Sequence, residues 1–214
     1  MFSDGIAQAE ARQEAGVLSG FDHSNVIKCF GVSKTEDHYD IVMEKGVSLR
    51  QARDERVFTE VEVLSYFRDI CAGLAHVHSK DVVHLDLKSD NIILVDGQAK
   101  IADFGASRPL RRLHDSMDLC GTVPFMSPEI ICGRPRDAST DIWSLGVTLY
   151  EMMTGAPPFQ GEFHAIAFSI GCLKVFPALP LHFGASQKIQ SLIAQCTQVD
   201  PLARPTAQEL LMQL

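Results

Sequence analysis

Nowhere in this 214-residue chain is there an apolar run long enough to cross a bilayer, although 46% of its residues are hydrophobic. A span needs about 20 consecutive apolar residues. The opening MFSDGIAQAE has neither the basic region nor the apolar stretch of a signal peptide. No two of the six cysteines, at 29, 71, 120, 132, 172 and 196, make a C-x-x-C pair. That spacing reads as reduced, mostly buried thiols in an intracellular, cytoplasmic protein, not as a disulfide framework or zinc site. Positive charge is scarce as well, with 19 Lys and Arg against 27 Asp and Glu and a net charge of −8. Nucleic acid and anionic membrane are therefore poor main partners. The chain has no internal repeat, no low-complexity tract and no linker that would separate independent domains, and its length suits one domain or two small lobes.

What is present centres on HLDLKSDNIILVDGQAKIADFG, residues 84–105. A short apolar run, Ile92 to Val95, meets the Asp96-Gly97 turn signal and returns through Gln98 to Ala102, which predicts a hairpin. The hairpin holds two loops side by side and brings Asp86, Lys88, Asn91 and Asp103 to a common space. Two carboxylates, an amide oxygen and an ammonium suit a magnesium ion, a phosphate chain and a hydroxyl nucleophile.

His84-Leu85-Asp86-Leu87-Lys88 with Asn91, then Asp103-Phe104-Gly105, resembles the catalytic loop H-R-D-L-K-x-x-N and the D-F-G loop of eukaryotic protein kinases. Both motifs in order, joined by a hairpin of suitable length, are far more specific than D-F-G alone. The resemblance runs from about residue 9 to 214. It implies an α+β, protein-kinase-like fold: a mainly helical C-lobe over 47–214 and a truncated N-lobe over 1–46, the latter made of the family's αC helix, two strands and the hinge. Residues 4–20 read as a helix with Asp4 as N-cap, FDHSNVIKCFGV as a turn and a strand, and 38–43 as a second strand pairing with it. Residues 48–54 read as a short polar helix and 59–80 as a longer one. The longer helix has a capping box at Thr59 and Glu62, with Val61, Leu64, Phe67, Cys71, Leu74 and Val77 on one face. DIWSLGVTLYEMMTG, 141–155, is apolar on nearly every face and should be the buried post of the helical lobe. Three more helices are expected at 162–171, 186–197 and 206–214.

The resemblance also implies roles. Asp86 would be the catalytic base for a Ser or Thr hydroxyl, and Lys88 would neutralise charge on the moving phosphoryl group while also touching the nucleotide. Asn91 and Asp103 would hold Mg²⁺ on ATP, and the backbone of Glu44, Lys45 and Gly46, after Met43, would meet adenine. Glu14 falls at the place of the family's αC glutamate. Leu18, Cys29, Phe104 and His84 would stack internally over Asp141, so His84 reads as core rather than chemistry. Glu129 and Arg204 would form a buried ion pair. Lys88 together with Gly121-Thr122 resembles a serine/threonine kinase.

Two departures stand out. Leu85 replaces the usual arginine and cannot receive a phosphate, although Ser107, Ser116 and Thr122 are candidate modification sites. Arg108, Arg111 and Arg112 read as an exposed basic loop. The residues before Glu14 contain neither a G-x-G-x-x-G loop nor a lysine. Two functions follow as expectations. One is a serine/threonine protein kinase using MgATP on protein hydroxyls, with the given chain a truncated form. The alternative is a non-catalytic pseudokinase acting as a protein-binding scaffold. Partners on either view are protein substrates or regulatory proteins.

Overall fold

A computed structural model of the chain describes residues 12, 14–34, 39–113 and 121–214. The expected start of the first helix, Asp4 included, and the candidate modification site Ser116 lie outside the described residues. Residues 14–18 are helical and form α1, with Ala15 and Leu18 buried. Two antiparallel strands follow, β1 (Cys29–Lys34) and β2 (Tyr39–Met43), in register from Cys29 opposite Met43 to Lys34 opposite Tyr39 with an irregularity between Cys29 and Gly31.

The longest element, α3 (Glu60–Ser79), starts where the sequence signals it. Thr59 accepts from the Glu62 amide and the Glu62 carboxylate accepts from the Thr59 amide, so two free N-terminal donors are satisfied. Its buried stripe runs through Val63, Phe67, Ile70, Leu74 and Val77, the 3–4 spacing of one helical face. Val61 was expected on that face, but it is 78% exposed because it lies two residues off the stripe. The short helix α2 (Leu49–Glu55) has a capping box of its own at Ser48 and Gln51.

Helix α5 (Ser139–Thr154) is the buried post, starting two residues before the expected Asp141, and every residue from Thr140 to Met152 is buried. Around it lie α4 (Pro128–Ile131), α6 (Phe163–Gly171), α7 (Gln187–Cys196) and α8 (Ala207–Leu211). The last stops three residues short of the expected 214. One core cluster joins α3, α5, α7 and α8 to the strands, and a second gathers Phe125, Trp143, Val147, Phe159, Ile166 and Ile170.

The hairpin forms as the turn chemistry demands. Strands β5 (Ile92–Val95) and β6 (Gln98–Ile101) pair across Asp96 and Gly97, both at positive φ (49° and 81°), the geometry of a type I′ turn. Three two-residue strands go beyond the sequence expectation. They are β3 (Val47–Ser48), which pairs with β5, and β4 (Val82–Val83), which pairs with β7 (Arg108–Pro109). The turn at His23–Asn25 docks on the hairpin through Ile101 N–H to Asn25 O at 2.9 Å and Asn25 Nδ2 to Ala99 O at 3.0 Å. The N-terminal unit is thereby seated on the hairpin that carries the catalytic-loop and D-F-G residues.

Candidate active site

Asp141, in the first turn of α5, organises the loop before the site. Its carboxylate accepts from the amides of His84 and Leu85, both at 2.8 Å, and lies 2.9 Å from His78 Nε2. Burial alone would push this carboxyl up; the His78 hydrogen bond and charge, with His84 beside it, hold it below its usual value. His84 is fully buried, its Nε2 is 2.9 Å from Ala102 O, and its ring meets Phe104 edge-on at 4.8 Å. It is a core residue, as expected. Leu85 adopts φ 69° immediately before Asp86 and packs its buried side chain with Val83 and Leu113.

The chain brings Asp86, Lys88 and Asn91 together. Asp86 Oδ2 accepts from Lys88 Nζ at 3.0 Å and from Asn91 Nδ2 at 3.2 Å, and the same Asn91 amide group donates to Asp86 O at 2.9 Å. The third partner was not assigned to the site from sequence. Thr122 Oγ1 donates to Asp86 Oδ1 at 2.8 Å and accepts from Lys88 Nζ at 2.6 Å. Gly121 makes this approach possible. At φ 100°, a Cβ there would stand 2.5 Å from Leu85 O, so only glycine lets the segment lie against the catalytic loop. The Gly121-Thr122 pair was the signal, read from sequence as a family marker and a candidate modification site; its hydroxyl is engaged in the site instead. Ser107 fits modification poorly too, being buried with its hydroxyl donating to Phe104 O at 2.6 Å.

Asp103 follows β6 in the left-handed region, φ 59°, and is exposed. Its neighbour Ala102 donates to Asn91 O at 2.8 Å, which fixes the D-F-G segment beside the catalytic loop. Among the described residues no hydrogen bond links the Asp103 carboxylate to Asp86, Lys88 or Asn91. It faces Glu14 instead, with both carboxylates flanking Gly105. Burial first, and then the Asp103 charge, raise the Glu14 carboxyl, while a hydrogen bond from the Phe104 backbone opposes them. Glu14 is thus a half-buried member of the site region and not an exposed helix residue. Among the described residues it has no cation within ion-pair distance.

Glu44, Lys45 and Gly46 cross between β2 and β3. Glu44 N–H donates to Lys28 O at 3.0 Å, and its carboxylate pairs with Lys100 of β6 at 2.6 Å. Lys45 is exposed. Gly46 lies so close to the hairpin that a Cβ would stand 2.4 Å from Leu94 O. The hinge is therefore pressed onto the strand β5 that leads out of the catalytic loop.

Away from the site, Glu129 and Arg204 form the expected buried pair, with Nη1 to Oε1 at 2.7 Å and Nη2 to Oε2 at 2.9 Å. Burial would raise Glu129; the Arg204 hydrogen bonds and charge hold it below its ordinary value. Arg111 and Arg112 are exposed, as is Arg108, which lies on β7.

A half-buried carboxylate, a lysine and an amide on one loop, with a D-F-G segment hydrogen-bonded alongside, are thus set together on an α+β fold. The chain belongs to the protein kinase family, whose protein kinase domain matches residues 3–214. It is 37% identical over 213 residues to the mouse serine/threonine-protein kinase Nek5, covering 94% of this chain and 33% of Nek5. It is 34% identical to mitogen-activated protein kinase kinase kinase 3 of Arabidopsis thaliana, over 94% of this chain and 34% of that one. It is 32% identical to an Aurora kinase of Yarrowia lipolytica, over 94% of this chain and 54% of the relative. The chain spans about a third to a half of the length of these relatives. Among the described residues no helix is long and apolar enough to cross a membrane.

Proposed function

We propose that this chain is the kinase domain of a serine/threonine protein kinase that transfers the γ-phosphoryl group of MgATP to hydroxyls of protein substrates, with residues 1–46 as the smaller lobe and 47–214 as the larger. The observation that carries the reading is the Asp86 carboxylate, oriented by Lys88, Asn91 and Thr122 at once. In this reading Asp86 accepts the proton of an incoming Ser or Thr hydroxyl, and the Lys88 ammonium faces the negative charge that develops on transfer. Thr122 holds the carboxylate in one orientation.

The donor set fits magnesium on a nucleotide. No group of three or more His, Cys, Asp or Glu among the described residues could cage a metal alone. Mg²⁺ is held through one or two protein oxygens plus phosphates, and Asp103 and the Asn91 side-chain oxygen supply hard oxygens of that kind. MgATP, when bound, supplies the phosphoryl group and a cation that neutralises its charge. The backbone of Glu44, Lys45 and Gly46 lines the place for adenine beside β5.

The test is radiolabel transfer from γ-labelled MgATP to a library of Ser- and Thr-containing peptides. Asp86→Asn should lower the rate by roughly 10²–10⁴, the contribution of a general base. Equal incorporation by the wild type and Asp86→Asn, or none by either, would contradict the proposal.

A further inference from the structure

The five described cysteines fall into three settings, with Cys29 half-buried. Cys71 and Cys196 are fully buried, and burial pushes both thiols up, which suppresses the reactive thiolate. Cys132 and Cys172 are exposed. They belong to different elements, Cys132 closing α4 and Cys172 closing α6. Although 40 positions separate them in sequence, the fold sets them side by side. Cys132 Sγ donates a long hydrogen bond to the carbonyl oxygen of Gly171, the residue just before Cys172, at 3.7 Å. In a planar trans peptide the next Cα lies about 2.8 Å from that oxygen, so the Cys172 Cα is within about 6.5 Å of the Cys132 sulfur. A Cβ placed at Gly171 would be in van der Waals contact with that sulfur, at 3.7 Å, so the thiol lies directly against the end of α6.

We propose that Cys132 and Cys172 are a reversible redox couple, oxidised by hydrogen peroxide to a disulfide that ties the end of α4 to the end of α6. The chemistry balances in two steps. One thiolate attacks peroxide, the O–O bond breaks, and the sulfur becomes a sulfenic acid as water leaves. The second thiolate then attacks that sulfur, an S–S bond forms, the S–O bond breaks, and the hydroxide departs with a proton as a second water. Two electrons pass from sulfur to peroxide oxygen. A disulfide requires the two Cα atoms within about 7 Å and an S–S length of about 2.0 Å, so both exposed side chains must turn toward each other for the bond to form. The link would fix α4, which also carries Glu129 of the buried ion pair, against α6. The proposal is independent of kinase activity.

The whole chain, reduced and freed of reductant, is exposed to rising hydrogen peroxide, alkylated, digested without reductant and mapped by mass spectrometry. The expected result is one cross-linked peptide pair containing Cys132 and Cys172, two hydrogens lighter and released by dithiothreitol. Cys132→Ser and Cys172→Ser should each abolish the cross-link and leave the surviving cysteine singly oxidised. The proposal is overturned by single oxidation of both residues without a cross-link. Cross-linking of either to another cysteine would overturn it too, as would no reaction at peroxide levels that oxidise the half-buried Cys29. The wild-type map decides the matter even if a variant folds poorly.

Discussion

Thr122 reaches across 36 and 34 positions to hold Asp86 and Lys88 in one triangle of hydrogen bonds. Removing its hydroxyl while keeping its volume isolates that contribution. Thr122→Val should lower peptide phosphorylation about tenfold, the effect of one hydrogen bond near 1.4 kcal/mol, and leave the urea midpoint nearly unchanged. A steady-state kinetic comparison checks it. His23 offers a second test. Its ring stacks on His76 at 5.0 Å, and burial, then His76, lower its folded-state value below 6.5. Below that pH the unfolded chain binds a proton more readily than the folded one, so stability rises with pH through the window just under 6.5 and falls on acidification. Urea melts at pH 7 and pH 5.5 should show this slope, and His23→Gln should flatten it. Glu129 and Asp141 act lower down: their folded values are depressed, so their contribution is present above about pH 4 and is lost as pH falls further.

At the scale of elements, α5 bears most of the packing. Leu145 is fully buried at its centre, and Leu145→Ala should cost about 2–5 kcal/mol by chemical denaturation, the range for a buried leucine whose site collapses poorly. The helices other than α4, and the hairpin, were readable in the sequence because their signals are local. Thr59 and Glu62 are three residues apart, Asp96-Gly97 is a two-residue turn, and the α5 run is apolar for four turns. The strands β3, β4 and β7 were not readable, since two residues cannot show a period of two and their partners lie far along the chain. Val61 was misplaced for a related reason: an apolar residue in the first turn of α3 looked like core, while the actual stripe begins at Val63. Of the site, Asp86, Lys88 and Asn91 were legible as one loop. Thr122's part was not, because Gly121 at φ 100° folds a distant segment back onto that loop.

Across the whole molecule, one core runs through the helices and takes in Leu18, Val26 and Ile27 near the N-terminus, while β1 and β2 pair only with each other. These strands leave Phe30, Val32 and Val42 exposed at 63%, 37% and 45%. Between the two parts, Glu14 and Asp103 face each other without a cation among the described residues, so a bound magnesium would relieve a repulsion as well as position phosphates. The central claim is that Asp86, Lys88, Asn91 and Asp103 serve one magnesium nucleotide. It is tested most directly by calorimetric titration of the chain with ATP, with and without Mg²⁺. Saturable binding that requires Mg²⁺, and that weakens at least tenfold in Asp103→Ala, is the predicted result. Binding that is absent, or indifferent to both Mg²⁺ and Asp103→Ala, would contradict it.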